Sequence, residues 1–241
     1  MEIRPGVRRI GAGMVNAYLV EEAGAVTIID TGMPGQWHDL PAELAAMGRS
    51  LADVRAVLLT HGHSDHIGFA ERIRRERGVG VRIHELDAAL ARGEVPNPAR
   101  GARPVRPMAL LRFLVYSVTH GAMRTPRITE VITFGDGATL DVPGAPRVVH
   151  VPGHTPGSAA LFVAGLDSLF AGDALATYAV TTGASGPQLA PFTADPVEAI
   201  ASLERLRACE AAYVLPGHGQ PWTGGVAEAI RLVRAAAAPP N

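Results

Sequence analysis

The segment at 60–68, THGHSDHIG, directly follows the apolar run VRAVLL, which predicts a buried β-strand. Within six residues it carries four side chains of ligand type: His61, His63, Asp65 and His66. Imidazole and carboxylate groups are the ligands that zinc and similar divalent ions take in proteins. A loop that leaves a strand end can turn all four side chains toward one point. The segment therefore predicts a metal site at the end of this strand.

Three later segments repeat this arrangement of a ligand-type residue just past an apolar strand. They are PGHTPG at 152–157, AGD at 171–173 and PGHG at 216–219, which contribute His154, Asp173 and His218. Folds of the α/β class place their binding sites at such strand ends. Four ligand-type residues within six positions rarely arise by chance, and three more in the same setting strengthen the pattern. We therefore predict one metal centre built from these seven residues.

The other four of the nine histidines lack this setting. His84 ends a predicted strand and His150 alternates with apolar neighbours, so both are predicted to pack within strands. His38 and His120 are predicted to lie in solvent. None of the four is expected to bind the metal.

The composition excludes several other classes of function. The chain has 241 residues with 22 basic and 23 acidic side chains. Its net charge of −1 lacks the excess of basic residues that is typical of nucleic-acid binding proteins. All the basic residues are arginine, so a catalytic lysine is excluded. Cys209 is the one cysteine and can form no internal disulfide. The N-terminus has no secretory pattern and no continuous apolar run approaches the ~20 residues of a membrane span, so we expect a cytoplasmic protein.

The strand and helix patterns predict α/β layers. Strands alternate with helices in the first and last thirds of the chain, with β-hairpins between them. Hairpin turns are predicted at 135–137 and 165–167. Helices are predicted at 35–47, 67–77, 86–92, 196–209 and 226–238.

The stretch at 96–126 interrupts this alternation. It opens with three arginines among four prolines and continues as an apolar segment that predicts a helix around 108–118. This helix is predicted either to form a lid or pocket wall for an apolar substrate, or to be buried against the sheet or in a dimer interface. Leu110, Phe113 and Leu114 of this helix, together with Tyr178, are the candidate substrate-pocket residues.

The motif H-x-H-x-D-H, with the later His154, Asp173 and His218, resembles the metallo-β-lactamase superfamily of hydrolases. The similarity extends from the Asp-Thr-Gly turn at 30–32 to His218, which is nearly the whole chain. It implies an α/β fold in the form of a four-layer αβ/βα sandwich. One domain over 1–241 would make this sandwich, with 96–126 inserted as a helical segment.

The resemblance also implies a role for each ligand. His61, His63 and His154 would hold one divalent ion, Asp65, His66 and His218 would hold a second, and Asp173 would bridge both. Asp30 would orient the loop at 60–68, here called the metal loop, from the side away from the ions. Zinc is the first expectation for both ions, with iron or manganese as alternatives.

The implied chemistry is metal-dependent hydrolysis. Two ions a few ångströms apart can share a hydroxide, because coordination lowers the pKa of water toward ~7. This hydroxide would attack a carbonyl carbon, with Asp65 holding or transferring the proton and Asp173 keeping both ions in place. Together with the apolar insert, the resemblance implies cleavage of an ester, thioester or lactone of a small apolar molecule. A homodimer through the insert is a further possibility.

Subgroups of the superfamily differ at positions that can be compared. True β-lactamases usually lack the bridging acid, so Asp173 and the missing export signal disfavour that activity. Glutathione thioesterases match the ligands but carry a basic C-terminal helical domain that we do not expect after His218. Lactonases of the quorum-quenching type usually have a tyrosine at the position of Ala176, and Tyr178 could replace it only in part.

Two other interpretations are left open by the residues. Persulfide dioxygenases resemble the same sequence but bind a single iron through the equivalents of His61, His154 and Asp173 and carry out oxygen chemistry. A role in metal scavenging is the weaker of the two, because an intact two-site set with glycine-opened loops is poorly suited to storage.

Overall fold

Two β-sheets form the centre of the structure, a computed structural model that describes residues 1–98, 105–124 and 127–237. Within these residues the first sheet has seven strands, and their order in space is their order in sequence. They are β1 (Glu2–Arg4), β2 (Val7–Ile10), β3 (Ala17–Glu22), β4 (Ala25–Ile29), β5 (Val54–Leu58), β6 (Gly80–His84) and β7 (Ile132–Phe134). Strands β1 to β4 pair antiparallel, and β4 to β7 pair parallel.

The second sheet has four strands in the described part of the chain. A separate two-stranded ribbon falls between the third and fourth of these strands in sequence. The strands are β8 (Arg147–His150), β9 (Ala159–Val163), β10 (Ser168–Gly172), β11 (Ala176–Tyr178), β12 (Ser185–Gln188) and β13 (Tyr213–Pro216). The sheet order is β13-β10-β9-β8, and β11 pairs with β12 to make the ribbon. Every residue of β10 is buried, as expected of a mainly apolar strand that pairs on both sides.

Helices follow or precede these strands. The α-helices are α1 (Leu40–Ala45), α2 (Ala70–Arg77), α3 (Ala88–Ala91), α4 (Pro107–Thr119), α5 (Pro196–Ser202) and α6 (Val226–Ala237). Short 3-10 helices span Pro34–His38, Leu51–Asp53, Glu85–Asp87, Ala122–Arg124, Ala164–Leu166 and Leu203–Ala208. The predicted end of the last helix, Ala238, falls outside the described residues.

Sequence signals at the helix ends explain where two of these helices begin and end. The Asp195 carboxylate accepts hydrogen bonds from the backbone N–H groups of Val197 and Glu198, both at 3.0 Å, so it caps α5. Pro196 occupies the first turn of α5, where its missing N–H costs nothing. Gly78 ends α2 with a φ of 65°, a left-handed conformation that glycine adopts without strain.

Apolar side chains from the two sheets meet in the middle of the structure. Tyr18 and Leu58 of the first sheet share one buried cluster with Leu161, Phe170 and Leu215 of the second. The outer face of each sheet is covered by helices, as two further clusters show. Leu44 of α1 and Ile73 of α2 pack on the first sheet, and Leu206, Ile230 and Val233 pack on the second. The order is therefore helix, sheet, sheet, helix, which confirms the predicted four-layer α/β sandwich.

The hairpin prediction is confirmed at one turn and wrong at the other. Strands β9 and β10 pair antiparallel around 164–167. The turn at 135–137 instead carries the chain from one sheet to the other. Phe134 pairs in parallel with β6, whereas Thr139 pairs with Arg147 at the start of β8. Glycine and aspartate signal a change of direction but not which sheet the chain joins next, so the local pattern could not separate these outcomes.

The predicted insert is described in part, since 99–104 and 125–126 lie outside the described residues. Its apolar segment forms α4, which is tied at both ends. The Arg106 N–H donates to the Thr181 carbonyl at 2.9 Å, and the Gly35 N–H donates to the His120 carbonyl at 2.8 Å. On the outward face Leu111, Val115 and Val118 are each more than half exposed. The interpretation as a helix buried against the sheet is therefore wrong, while the pocket-wall and dimer-interface interpretations stay predictions.

The helices of the described residues can be compared with a membrane span in length and apolar character. None of their helices combines the length and the apolar character that a membrane span requires.

Truncation of Phe170 tests the contact between the two sheets. Its side chain is fully buried, and its ring centroid lies 5.4 Å from that of Tyr18 in an edge-to-face arrangement. Phe170→Ala should lower the free energy of unfolding by about 3–5 kcal/mol, because it opens a cavity between the sheets. Urea unfolding followed by circular dichroism measures this value. The control Val197→Ala, at a side chain that is 80% exposed, should change it by less than about 0.5 kcal/mol. Equal effects of the two substitutions would contradict this packing.

Candidate metal centre

The candidate ligands lie where strands of both sheets end at a shared edge. The loop with His61, His63, Asp65 and His66 follows β5 of the first sheet. Strand β8 is followed by His154, β10 by Asp173 and β13 by His218, all in the second sheet. Parallel pairing puts the carboxyl ends of β10 and β13 side by side. Residues that are far apart in sequence therefore converge because two sheets end at one place.

The structure brings all seven sequence-predicted ligands into one cluster. Their ligand atoms form three groups within which the atoms lie no more than 4.8 Å apart. The groups are His61, His63 and His154; His61, His66 and Asp173; and Asp65, His66 and His218. The first and third groups match the two ligand sets that the resemblance implies.

Asp173 lies between these two sets. Its Oδ2 atom is 3.4 Å from Nε2 of His154 and 3.2 Å from Nε2 of His218. Its Oδ1 atom is 3.6 Å from Nε2 of His66. A single carboxylate thus faces one histidine of the first set and two of the second, which is the position that a bridging ligand requires.

Unpartnered polar atoms in the cluster test whether a metal fits. Nε2 of His61, Nε2 of His66 and Oδ1 of Asp173 are buried and have no hydrogen-bond partner among the described residues. A buried polar atom without a partner costs about 1–3 kcal/mol. Divalent cations bound in this cluster would give these atoms partners, and a set of imidazoles and carboxylates suits zinc, iron or manganese. The residues present therefore fit a divalent metal centre.

Hydrogen bonds on the far side of each ring set the histidine tautomers. The Thr60 hydroxyl donates to Asp30 at 2.8 Å and so can only accept from Nδ1 of His61, 3.1 Å away. Nδ1 of His218 donates to a backbone carbonyl at 2.6 Å, and Nδ1 of His154 lies 3.1 Å from the Thr193 hydroxyl, which itself donates elsewhere. In its neutral form each of these rings therefore presents its Nε2 lone pair to the cluster, and such outer contacts raise the affinity of a metal site.

Asp30 holds the metal loop from behind, where the resemblance places it. Its Oδ1 atom accepts from the Thr60 N–H at 2.8 Å, and its Oδ2 atom lies 2.9 Å from Nδ1 of His66. Its φ is +56°, a left-handed conformation that costs a non-glycine residue about 1 kcal/mol or more. The surrounding hydrogen bonds maintain this strained conformation, which points the carboxylate at the loop.

The electrostatics of the cluster differ between its two halves. Burial alone lowers the pKa of His66, but the carboxylates of Asp173, Asp30 and Asp65 outweigh burial and raise it to about 10. Burial likewise opposes charge on His218, yet Asp173 and Asp65 raise its pKa. In the other half, burial lowers the pKa of His154 to about 3 despite the attraction of Asp173. Burial and the neighbouring histidines also hold the pKa of His61 well below its usual value. The ligand set His61, His63 and His154 contains no carboxylate of its own. The low pKa values of His61 and His154 leave these rings uncharged at neutral pH and able to bind a cation.

Asp87 is a residue of the site that the sequence analysis did not identify. It is fully buried at the end of the 3-10 helix Glu85–Asp87 that follows β6, where it connects the metal loop to the loop that carries His154. Its carboxylate accepts from the Gly62 N–H at 2.8 Å, the Thr155 hydroxyl at 2.7 Å and the Gly157 N–H at 2.6 Å. The available signal was an acid shortly after a strand of the same parallel set, but it stands within a stretch that also predicts a helix.

Gly217 is a second residue that the ligand pattern did not single out. A Cβ atom at this position would lie 2.3 Å from Oδ1 of Asp173 and 2.4 Å from Cε1 of His66. A Cβ atom cannot approach other heavy atoms so closely. Only glycine therefore allows the backbone at 217 to lie against Asp173 and His66.

The four histidines outside the pattern do not join the cluster. His84 and His150 stack on each other with ring centroids 4.2 Å apart and nearly parallel planes. His38 is exposed, and His120 stacks on Tyr116 rather than lying free in solvent.

A cavity of about 850 Å³ lies next to the cluster and includes one predicted pocket residue, Tyr178. Of the predicted residues on α4, Phe113 faces the cluster, with its ring centroid 6.4 Å from that of His218. Leu110 and Leu114 do not line this cavity, and Leu114 is half exposed. The helix instead presents Met108, Ala109, Arg112 and Tyr116 to the cavity. Arg112 and Tyr116 lie four positions apart and so share one face of the helix, a sequence signal that could have predicted that they point the same way.

Comparisons with known proteins agree with this geometry. A sequence model of the family described as the Metallo-beta-lactamase superfamily matches residues 10–218. Over 236 residues the chain is 30% identical to a Bacillus subtilis (strain 168) protein named "Probable metallo-hydrolase YflN". That match covers 92% of this chain and 87% of the relative.

Solved structures show the same similarity. The metallo-beta-lactamase family protein TTHA1429 from Thermus thermophilus matches with a TM-score of 0.72 and 25% identity, over 98% of this chain and 80% of that one. The structure of TTHA1623 in a di-iron-bound form matches with a TM-score of 0.61 and 28% identity, over 90% of this chain and 93% of that one.

Substitution of Asp87 tests whether its three hydrogen bonds support the cluster. Asp87→Asn keeps the shape but turns an NH₂ group toward at least one N–H or hydroxyl donor, so the two loops should separate. We expect metal affinity to fall by about 10–100-fold, as for other outer contacts of metal ligands. Competition with a chromophoric chelator measures this affinity.

The matched control for this experiment is Glu85→Gln, two residues away and exposed. It should leave metal affinity within about twofold of the original protein, because surface substitutions rarely disturb a remote site. Unchanged affinity in Asp87→Asn, with the same unfolding midpoint, would show that these hydrogen bonds do not position the ligands.

Proposed function

The chain belongs to the metallo-beta-lactamase superfamily and is a metallo-hydrolase, and from this premise we propose that it holds two divalent ions and cleaves an ester, thioester or lactone. The observation that carries the proposal is the position of Asp173 between two sets of histidines that have unpartnered nitrogens. A carboxylate in that position is suited to two ions rather than one.

The residues divide between the two ions as follows. One set is His61, His63 and His154, and the other is Asp65, His66 and His218. When bound, such ions act as Lewis acids and lower the pKa of water toward about 7, which supplies a hydroxide nucleophile at neutral pH. Zinc is the first candidate, and the di-iron form of TTHA1623 supports iron as the alternative.

Asp65 is the residue that we assign to proton transfer. Its Oδ2 atom lies 3.5 Å from Nε2 of His218, and its side chain is 17% exposed, against 4% or less for His218 and Asp173. It is therefore the carboxylate that a substrate can reach. Burial opposes its charge, but His66 and His218 hold its pKa below the usual value, so the group is an anion that can accept a proton at neutral pH. The leaving group would then take up that proton.

Side-chain nucleophiles offer no competing mechanism among the described residues near the cluster. Cys209 is buried in the helical layer outside the second sheet, and burial raises the pKa of its thiol. Ser64 is exposed in the metal loop and has no hydrogen bond to a histidine. An attacking water is therefore the simplest source of the nucleophile.

Several sequence expectations stay predictions. They are the single domain over 1–241 with its inserted segment, the cytoplasmic location, the absence of a nucleic-acid partner and the homodimer. We place the substrate in the cavity beside Tyr178, with α4 as its wall.

Chelation and one substitution test this function together. Protein purified without added metal is analysed for its metal content and assayed with 4-nitrophenyl hexanoate, a thioester and a γ-lactone. We expect two ions per chain and hydrolysis that a chelator abolishes and zinc restores. Asp65→Asn should lower kcat by about 10²–10⁴-fold, because it removes the proton acceptor.

The control is His38→Asn, at an exposed histidine outside the cluster, and it should keep full activity. Hydrolysis that survives metal removal would contradict the proposal. One iron per chain, with consumption of oxygen when a persulfide is supplied as substrate, would instead assign the chain to dioxygenase chemistry.

A further inference from the structure

The cavity beside the metal centre has an unusual charge pattern. Its lining includes two arginines, Arg106 and Arg112, and no acidic residue among the residues described. Neither guanidinium has a carboxylate within 4.0 Å in that part of the chain. Most other arginines that the structure describes on helices are paired, as Arg74 is with Glu71 and Arg231 is with Glu228. The cavity wall therefore carries two positive charges without a paired carboxylate, unlike the surfaces where most helix arginines lie.

The other polar groups of the cavity are mainly hydrogen-bond donors. Arg9 donates to Oε1 of Gln220 at 2.9 Å, which leaves the Gln220 amide nitrogen as a donor on the wall. The Thr182 hydroxyl accepts from the Ala184 N–H at 3.2 Å and is free to donate its own hydrogen. Burial and the nearby carboxylates raise the pKa of Tyr116 to about 12, so its hydroxyl keeps its proton. A wall of cations and donors is complementary to an oxyanion.

The cavity is lined by residues that adjoin a candidate ligand. Gly219 lines it and directly follows His218, and the Thr177 N–H, also from the lining, donates to the His218 carbonyl at 2.9 Å. Arg112 precedes Phe113, whose ring faces that of His218. A molecule whose reacting bond lies at the metal centre can therefore extend directly into this cavity.

The dimensions fit a substrate with an apolar middle and an anionic end. Arg106, which directly precedes α4, and Arg112 are six positions apart, a rise of about 9 Å along the helix axis. The volume of about 850 Å³ is in the range of sites for small organic molecules. Met108 and Trp222 supply apolar wall between the polar groups, and the Trp222 N–H is already used by the Gly225 carbonyl.

We propose that this cavity is an anion-binding substrate subsite, and that the preferred substrate is an ester, thioester or lactone whose acyl part ends in an oxyanion such as a carboxylate or sulfonate. This inference rests on the proposed function for the bond that is cleaved. It replaces the wholly apolar substrate of the sequence prediction with an amphiphilic one. Arg106 and Arg112 are its specificity-determining residues.

Two esters of equal chain length test the subsite. The mono-4-nitrophenyl ester of adipate and 4-nitrophenyl hexanoate share a leaving group and six acyl carbons, but only the first ends in a carboxylate. The metal-loaded protein should prefer the adipate ester by at least about 10-fold in kcat/KM, the scale of a charge-assisted hydrogen bond. The preference should shrink between 0.05 and 0.5 M NaCl, because salt screens exposed charges. The 6-sulfohexanoate ester distinguishes a carboxylate site from a general oxyanion site.

Substitutions identify the groups responsible. Arg106→Gln and Arg112→Gln should each raise KM for the adipate ester by about 10-fold, with little change in kcat and none in the hexanoate reaction. The matched control Arg231→Gln, on α6 and away from the cavity, should change neither reaction. Equal loss with both esters would assign the arginines to folding or to the helix rather than to recognition of charge.

Failure of this inference can be separated from failure of the proposed function. Metal-dependent hydrolysis of both esters without an adipate preference would overturn the subsite and leave the hydrolase proposal standing. If neither ester reacts, calorimetry with hexanesulfonate on the metal-loaded protein still decides the subsite. Binding that weakens at least about 10-fold in Arg112→Gln supports it. Equal binding by the original protein and the variant, or no binding at all, overturns it.

Discussion

The buried carboxylate of Asp173 is the constraint on which the rest of the structure depends. It is 4% exposed and stands among the imidazoles of His66, His154 and His218. Burial opposes its negative charge, yet the surrounding histidines hold its pKa well below the usual value. A charge in that position is tolerable only where cations compensate it, so the histidines and the carboxylate require one another. The two sheets must end at the same edge for that to happen.

Contacts behind the ligands convert this electrostatic requirement into a defined geometry. Asp30 joins β4 to the metal loop, and Asp87 joins that loop to the one that carries His154. Both acids are buried. The strained φ of Asp30 and the missing side chain at Gly217 are local costs that the tightly packed cluster imposes. The sandwich supplies the rigid strands, and these acids fix the loops between them.

The sequence allowed the ligands to be predicted because their chemistry is local. Within 60–68 four ligand-type residues follow one strand, and the later three repeat the same position after an apolar run. The alternation of strands and helices predicted α/β layers, and the order of the four layers followed from the resemblance alone. The crossing between sheets after β7 and the role of Asp87 could not be predicted in this way. Both depend on which distant segments become neighbours, and no short pattern records that.

The substrate side was the least predictable, because it depends on the rotation of one helix. Arg112 and Tyr116 mark one face of α4, but the sequence does not show whether that face meets the cavity, the cluster or the solvent. Placing Arg112 and Tyr116 on the cavity and Phe113 toward His218 required the structure.

The central claim is that Asp173 joins two ions in one centre. Anomalous diffraction at the zinc absorption edge, from crystals grown with zinc, measures it most directly. The account predicts two peaks about 3.5–4 Å apart, one among His61, His63 and His154, the other among Asp65, His66 and His218, with Asp173 in contact with both. A single peak held by His61, His154 and Asp173, or two peaks that Asp173 does not touch, would contradict it.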